Sequence, residues 1–177
     1  MTRPTLLKVW RVLALLLVVA ISVGIFLIPK ERTAQLATYG YPGIFLVALI
    51  AYATIFLPAP AALIVLSMGA HLPPLGLALA AGSGAAIGEL SGYLAGFGGQ
   101  AVIENTTVYK RMVGWMQKYG GLAVFGFAAI PNPFFDLTGI AAGALRMPMA
   151  KFLLFCWLGQ LVKMFIIASI GGGFLGT

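Results

Sequence analysis

Residues 55–60 read IFLPAP, in the middle of an apolar stretch from Gly43 to Ala70, and residues 129–134 read AIPNPF, in the middle of a second stretch from Leu122 to Leu145. Proline has no N–H to give to a helix ladder, and its ring pushes the residue before it out of the helical region. Pro58 with Pro60, and Pro131 with Pro133, therefore divide each stretch into two half-helices that meet at a break. Beyond each break the same plan recurs: a glycine, a turn with proline, and a long apolar helix with one charge. Pro58 and Pro131 lie 73 positions apart, Gly69 and Gly143 lie 74 apart, and so do Glu89 and Lys163. That spacing predicts two repeated units with Glu89 and Lys163 at equivalent points, and paired breaks of this kind point to a transporter site near the bilayer midplane.

Composition says what solvent the chain lives in. Of 177 residues, 61% are hydrophobic and 8% are charged, against roughly 25% charged in a soluble domain. Lipid is the implied solvent, and at ~20 apolar residues per crossing the length allows a handful of spans with no sizeable soluble domain. Eleven Lys and Arg against four acids give a formal charge of +7. These basic residues sit in short segments between apolar runs, which suits topology and anionic headgroups and argues against nucleic acid.

Arg3, Lys8 and Arg11 precede an unbroken apolar run from Val12 to Ile28, closed by Pro29 and Lys30-Glu31-Arg32. It is long for a signal peptide and has no A-x-A cleavage pattern, so it reads as an uncleaved transmembrane helix. Leu75 to Phe97 reads as one long glycine-rich helix ended by Gly98-Gly99, and Phe152 to Ile170 as a final span ending in a glycine run. Between the halves, Ala101 to Tyr119 mixes Lys110, Arg111 and Lys118 with Trp115 and Tyr119; with Thr106 or Thr107 as N-cap and Gly120 as stop, it reads as an amphipathic helix in the headgroup region. The expected domains are a transmembrane helix and loop over 1–42 and a membrane domain over 43–177, made of halves 43–99 and 121–177 joined by the linker 100–120.

Charge chooses between two topologies. If each broken stretch dips in and returns to its own side, Arg3, Lys8, Arg11, Lys110, Arg111, Lys118, Arg146 and Lys151 lie inside with the N-terminus, and only Lys30 and Arg32 lie outside. If the broken stretches cross fully, the tally is five against five. The positive-inside rule selects the first. The expected fold is an all-α integral membrane protein, an inverted repeat with two opposed re-entrant helical hairpins, in the cell (inner) membrane with a cytoplasmic N-terminus.

A few residues then stand out. Gly84, Gly88, Gly92 and Gly96 recur every fourth position, a smooth stripe that lets another backbone approach, and helix packing is its reading. Glu89 lies beside the stripe, where a carboxylate costs ~2.5–3.5 kcal/mol on insertion scales unless paired or hydrated. It is a candidate for a protonatable role or for a structural partnership, with Tyr93, one turn on, as a hydrogen-bond partner. Lys163 pairs with Glu89, holds an anionic headgroup or snorkels to an interface, with pairing ranked first. Asn132 and Asp136 follow the second break, where a re-entrant tip lines a water-filled cavity, although Asp136 can equally cap a helix. Arg146 is a further candidate for contact with a headgroup.

Cys156 is the single cysteine and His71 the single histidine. Disulfides, metal clusters and Ser/His/Asp chemistry therefore have no residues to build on, and neither a metal, another cofactor nor an enzyme is expected.

FLPAP at 56–60, GELSGYLAGFGG at 88–99, IPNPFFDLTGIAAGALRMP at 130–148 and the spacing of Phe152 to Gly159 together resemble the DedA family, also called the VTT or SNARE-associated Golgi protein family. The resemblance runs from Ile44 to Leu175. It implies two opposed re-entrant hairpins and movement of lipids between leaflets: undecaprenyl phosphate and related anionic lipids in bacterial members, with proton coupling through membrane acids, and phospholipid scrambling in eukaryotic relatives. On it Glu89 and Asp136 take the acidic positions. The chain departs at Ala61-Ala62, where many members have an acid, and at Ala128, where many have arginine.

The leading expectation is a lipid translocase, flippase or scramblase, for phospholipid or polyprenyl-phosphate-type lipids, with Glu89 and Asp136 protonatable and Arg146 or Lys163 on phosphate. A small ion or solute transporter and a non-transporting scaffold are the alternatives. Anionic membrane lipids are the expected partners, and a homo-oligomer is compatible with the sequence.

Overall fold

A computed structural model describes residues 39–53, 59–98, 107–130 and 135–175. These form helices throughout, in the order α1 Tyr41–Ala53, α2 Ala59–Met68, α3 Pro74–Gly88, α4 Leu90–Gly98, α5 Thr107–Tyr119, α6 Gly121–Ala129, α7 Phe135–Ala144 and α8 Met149–Leu175. Pro58, Pro131, Asn132, Pro133 and the transmembrane helix expected over Val12 to Ile28 lie outside the described residues.

Length sorts the helices. At 1.5 Å per residue, α8 with its 27 residues is about 40 Å long. The run Pro74–Gly98, α3 with α4, has 25 residues. Both pass the length and composition test for crossing a membrane. By contrast α1, α2, α6 and α7 have 13, 10, 9 and 10 residues, at most about 20 Å each, too short to cross ~30 Å of hydrocarbon alone. The short helices flank the two Pro-x-Pro motifs, with Pro60 the second residue of α2.

The turns have local causes. Pro73 and Pro74 start α3, where proline's missing N–H is no loss. Gly120, at φ +58°, separates α5 from α6, a conformation that glycine adopts freely. Arg146 takes φ +54° between α7 and α8. As expected, α5 is amphipathic: Met112 and Met116 are buried while Arg111, Trp115, Lys118 and Tyr119 are exposed.

Two boundaries differ from the sequence reading. The long helix from Leu75 is not unbroken: helical assignment lapses for one residue at Glu89, although Glu89 N–H still bonds Ala85 O at 3.0 Å and Tyr93 N–H bonds Glu89 O at 3.1 Å. The final helix begins at Met149 rather than Phe152 and runs on through the glycine run to Leu175. The glycines stay helical because backbones pack against them: a Cβ on Gly171 would strike Leu66 O, and one on Gly172 would meet Gly69 O.

Packing forms two apolar cores that share α3 and α8. One gathers Ile44 and Ala48 of α1, Val65 of α2, Leu77 of α3, and Met164 and Ala168 of α8. The other gathers Ala86 of α3, Tyr93 of α4, Val124 of α6, Ala141 of α7, and Phe152 and Cys156 of α8. Outward, from Leu154 to Ile170, the large exposed side chains of α8 are apolar: Leu154, Leu158, Val162, Phe165, Ile166 and Ile170. Inward lie Glu89, Thr138, Gln160 and Lys163. Apolar outside and polar inside is the arrangement that lipid favours and water opposes.

Candidate functional site

On α8, Gln160 and Lys163 fall between Cys156 of one core and Met164 of the other, on one helix face. Val162 is the midpoint of the helix, so these polar residues stand halfway along its length. Gln160 is 0% exposed and Lys163 6%. The Lys163 ammonium lies 4.9 Å from the ring centroid of Tyr52 on α1, a cation–π contact of about 2 kcal/mol when desolvated. Lys163 is thus buried inside the bundle and does not snorkel to a surface.

Glu89, 2% exposed, reaches the same region from the lapse between α3 and α4. The Cys156 thiol lies within electrostatic reach of both Glu89 and Lys163. From the other side comes α7: a Cβ on Gly139 would sit 3.4 Å from Glu89 Oε2 and 3.3 Å from the Glu89 carbonyl. The residue before it, Thr138, is 0% exposed. The site is a set of buried polar side chains contributed by α1, the junction of α3 with α4, α7 and α8.

Within that set, Thr138 Oγ1 and both Gln160 amide atoms have no hydrogen-bond partner. A stranded buried polar group costs about 1–3 kcal/mol. Neither residue stands among the sequence candidates, nor does Tyr52. Gln160 did carry a signal, as the lone uncharged amide of an otherwise apolar span three positions before Lys163.

Other candidates fall elsewhere. The Tyr93 hydroxyl donates to Met147 O rather than to Glu89, and its ring stacks on Phe152 at 5.2 Å. The expected Tyr93–Glu89 bond is thereby corrected: the phenol reaches past its own helix to pin the turn before α8. Arg146 is exposed in that turn and apart from the buried layer. Asp136 is the second residue of α7, and Asn132 lies outside the described residues.

The glycine stripe serves packing, divided between two partners. Cβ atoms on Gly84 and Gly88 would strike α1 at Phe45 O and Leu49 O, while one on Gly96 would strike α7 at Ile140 O. These close approaches come in pairs. Gly69 of α2 meets Ala168 O and Gly172 N of α8; Gly143 of α7 meets Tyr93 O and Phe97 N of α4. Gly171 meets Leu66 as Gly96 meets Ile140, and Gly159 meets Phe125 O and Ala129 N as Gly84 meets Phe45 O and Leu49 N.

The members of each pair differ by 74 positions in α2 and α7, by 80 in α1 and α6, but by 75 in the long helices. In that register Glu89 answers to Met164, and Lys163 to Gly88. The expected equivalence of the two charges is therefore off by one residue, which on a helix is a rotation of about 100°.

A family model described as the VTT domain matches residues 57–172. The match opens one residue before Pro58, spans both Pro-x-Pro motifs and closes in the glycine run of α8. No curated protein matches the chain, and no solved structure does.

Proposed function

Since the chain belongs to the VTT domain family, whose membrane-associated members are proposed as lipid-related transporters, we propose that it is a lipid translocase, a flippase or scramblase for phospholipids or polyprenyl-phosphate-type anionic lipids. One observation carries the reading. Polar side chains sit halfway along α8, enclosed between two apolar cores, while the outer face of the same helix is apolar. A membrane protein keeps costly buried charge where a polar cargo must pass.

The paired glycine contacts support the architecture this function needs. In each pair, the helix after one break packs on the long helix of the other unit: α2 on α8, and α7 on α4. Exchange of that kind is what an inverted repeat produces, and four helices too short to cross fit two opposed re-entrant hairpins. We place the N-terminus on the cytoplasmic side of the cell (inner) membrane, on the eight-to-two charge count. Glu89 and Asp136 carry protons in this reading, Lys163 attracts the anionic headgroup inside the layer, Arg146 receives it in the exposed turn before α8, and Asn132 of the second Pro-x-Pro motif is a further contact for it.

Reconstitution in vesicles with a labelled phospholipid tests it. Wild-type protein moves the lipid between leaflets, and Glu89→Gln with Asp136→Asn slows it strongly. Undiminished movement in that double variant would sink the assigned roles, and ion flux without lipid movement would replace the translocase with an ion transporter.

A further inference from the structure

Gln160 is the least economical residue in the bundle. Its neighbours one turn away on the same face, Cys156 and Met164, are apolar and fully buried, yet Gln160 presents an amide whose Nε2 and Oε1 both lack a partner. Thr138 repeats the situation on α7 with its Oγ1. Buried polar atoms in folded proteins are paired, and those left over mark something outside the chain that completes them. The chemistry of the missing partner is set by the atoms. A carboxamide donates at one end and accepts at the other, and a threonine hydroxyl does both. A bare cation satisfies only the acceptors and a bare anion only the donors. A hydroxyl group gives and accepts at once.

We propose that Gln160 and Thr138 each hydrogen-bond a hydroxyl group inside the membrane domain, supplied by water or by a hydroxylated lipid headgroup. The headgroup source rests on the translocase reading; the water source does not. Water here would hydrate the approach to Glu89, whose carboxylate oxygen faces the residue after Thr138. A headgroup hydroxyl would make Gln160 a selectivity residue.

The chain carries its own probe. Cys156 is the single cysteine, fully buried and one helical turn from Gln160, so a water-soluble methanethiosulfonate reaches it only through a wetted layer. The experiment compares full-length wild-type protein in vesicles with Gln160→Met and, as a second isosteric change, Thr138→Val. It reads the rate of Cys156 modification, the movement of labelled phosphatidylglycerol and phosphatidylcholine, and the melting temperature. Loss of one such hydrogen bond predicts an effect of about tenfold.

Slower modification, with both lipids slowed alike, assigns the site to water. Unchanged modification, with phosphatidylglycerol slowed relative to phosphatidylcholine, assigns it to the headgroup hydroxyl. Either comes with an unchanged or raised melting temperature, because the variants remove stranded polar atoms. If wild-type protein moves no lipid yet modification still depends on Gln160, the hydroxyl site stands and the translocase reading falls. A lowered melting temperature in both variants, or no change in modification and in the lipid ratio, overturns the proposal.

Discussion

The crossing of α7 on α4 and the crossing of α2 on α8 share a scaffold and differ in chemistry. Both are closed by glycines against backbone, in one repeated register. Yet in that register polar residues on or beside the first crossing answer to apolar or small ones: Thr138 to Ile64, Asp136 to Ala62, Glu89 to Met164 and Tyr93 to Ala168. On α8, Gln160 answers to Ala85 and Lys163 to Gly88. The close approaches of backbone are paired, and the polar side chains are not. The glycine contacts recur in both cores, and the buried polar side chains of Glu89, Thr138, Gln160 and Lys163 do not.

Breaking the scaffold tests the shared part and has the largest effect. A valine at Gly143 or at Gly69 would drive its Cβ into Tyr93 O or Ala168 O, and overpacking of a tight core costs about 1–3 kcal/mol and upward. Thermal unfolding in detergent should show both variants strongly destabilised and by similar amounts. Tolerance at one glycine alone would mean that the crossings are not equivalent.

Exchanging chemistry between the sides comes next. Placing a glutamate at Met164 puts an acid at the equivalent of Glu89 without the layer around it, at a cost of ~2.5–3.5 kcal/mol. Glu89→Gln should instead keep the fold while slowing lipid movement, and Met164→Leu should cost under about 1.5 kcal/mol with activity intact. If Met164→Glu were as stable as wild type, polarity would not distinguish the two sides.

Smaller effects sharpen the edges of the layer. Tyr52→Leu removes the ring under Lys163 and should cost about 0.5–2 kcal/mol, whereas Tyr52→Phe keeps the π face and should change little. Tyr93→Phe loses the bond to Met147 O, about 0.5–1.5 kcal/mol in unfolding measurements. Trp157→Phe, which loses a 3.0 Å bond to Ser83 Oγ, falls at the lower end of the same range.

Much of this fold is written in the sequence because lipid leaves so few options. The amphipathic α5, the long helices and the flanks of both Pro-x-Pro motifs follow from apolar run length, proline chemistry and charge. Glu89 and Lys163 announced themselves as charges where charge is costly. Other readings failed for physical reasons. A count of 74 residues made those two charges equivalent, but helices meet where glycines allow, and the glycines set 75. Tyr93 looked one turn back along its own helix to Glu89, whereas its hydroxyl ends on a turn 54 residues away. Gln160 and Thr138 drew no notice because an amide or hydroxyl is conspicuous only when the surrounding packing withholds a partner.

The length of α8 carries a consequence of its own. A rod of about 40 Å is longer than ~30 Å of hydrocarbon is thick: it tilts, carries its ends into the headgroup layers, or draws the bilayer thicker around it. That accommodation responds to membrane thickness as well as to helix packing, and it governs how far Gln160 and Lys163 lie from each headgroup plane. Acyl-chain length thereby becomes a dial on this protein, turned from outside without any ligand.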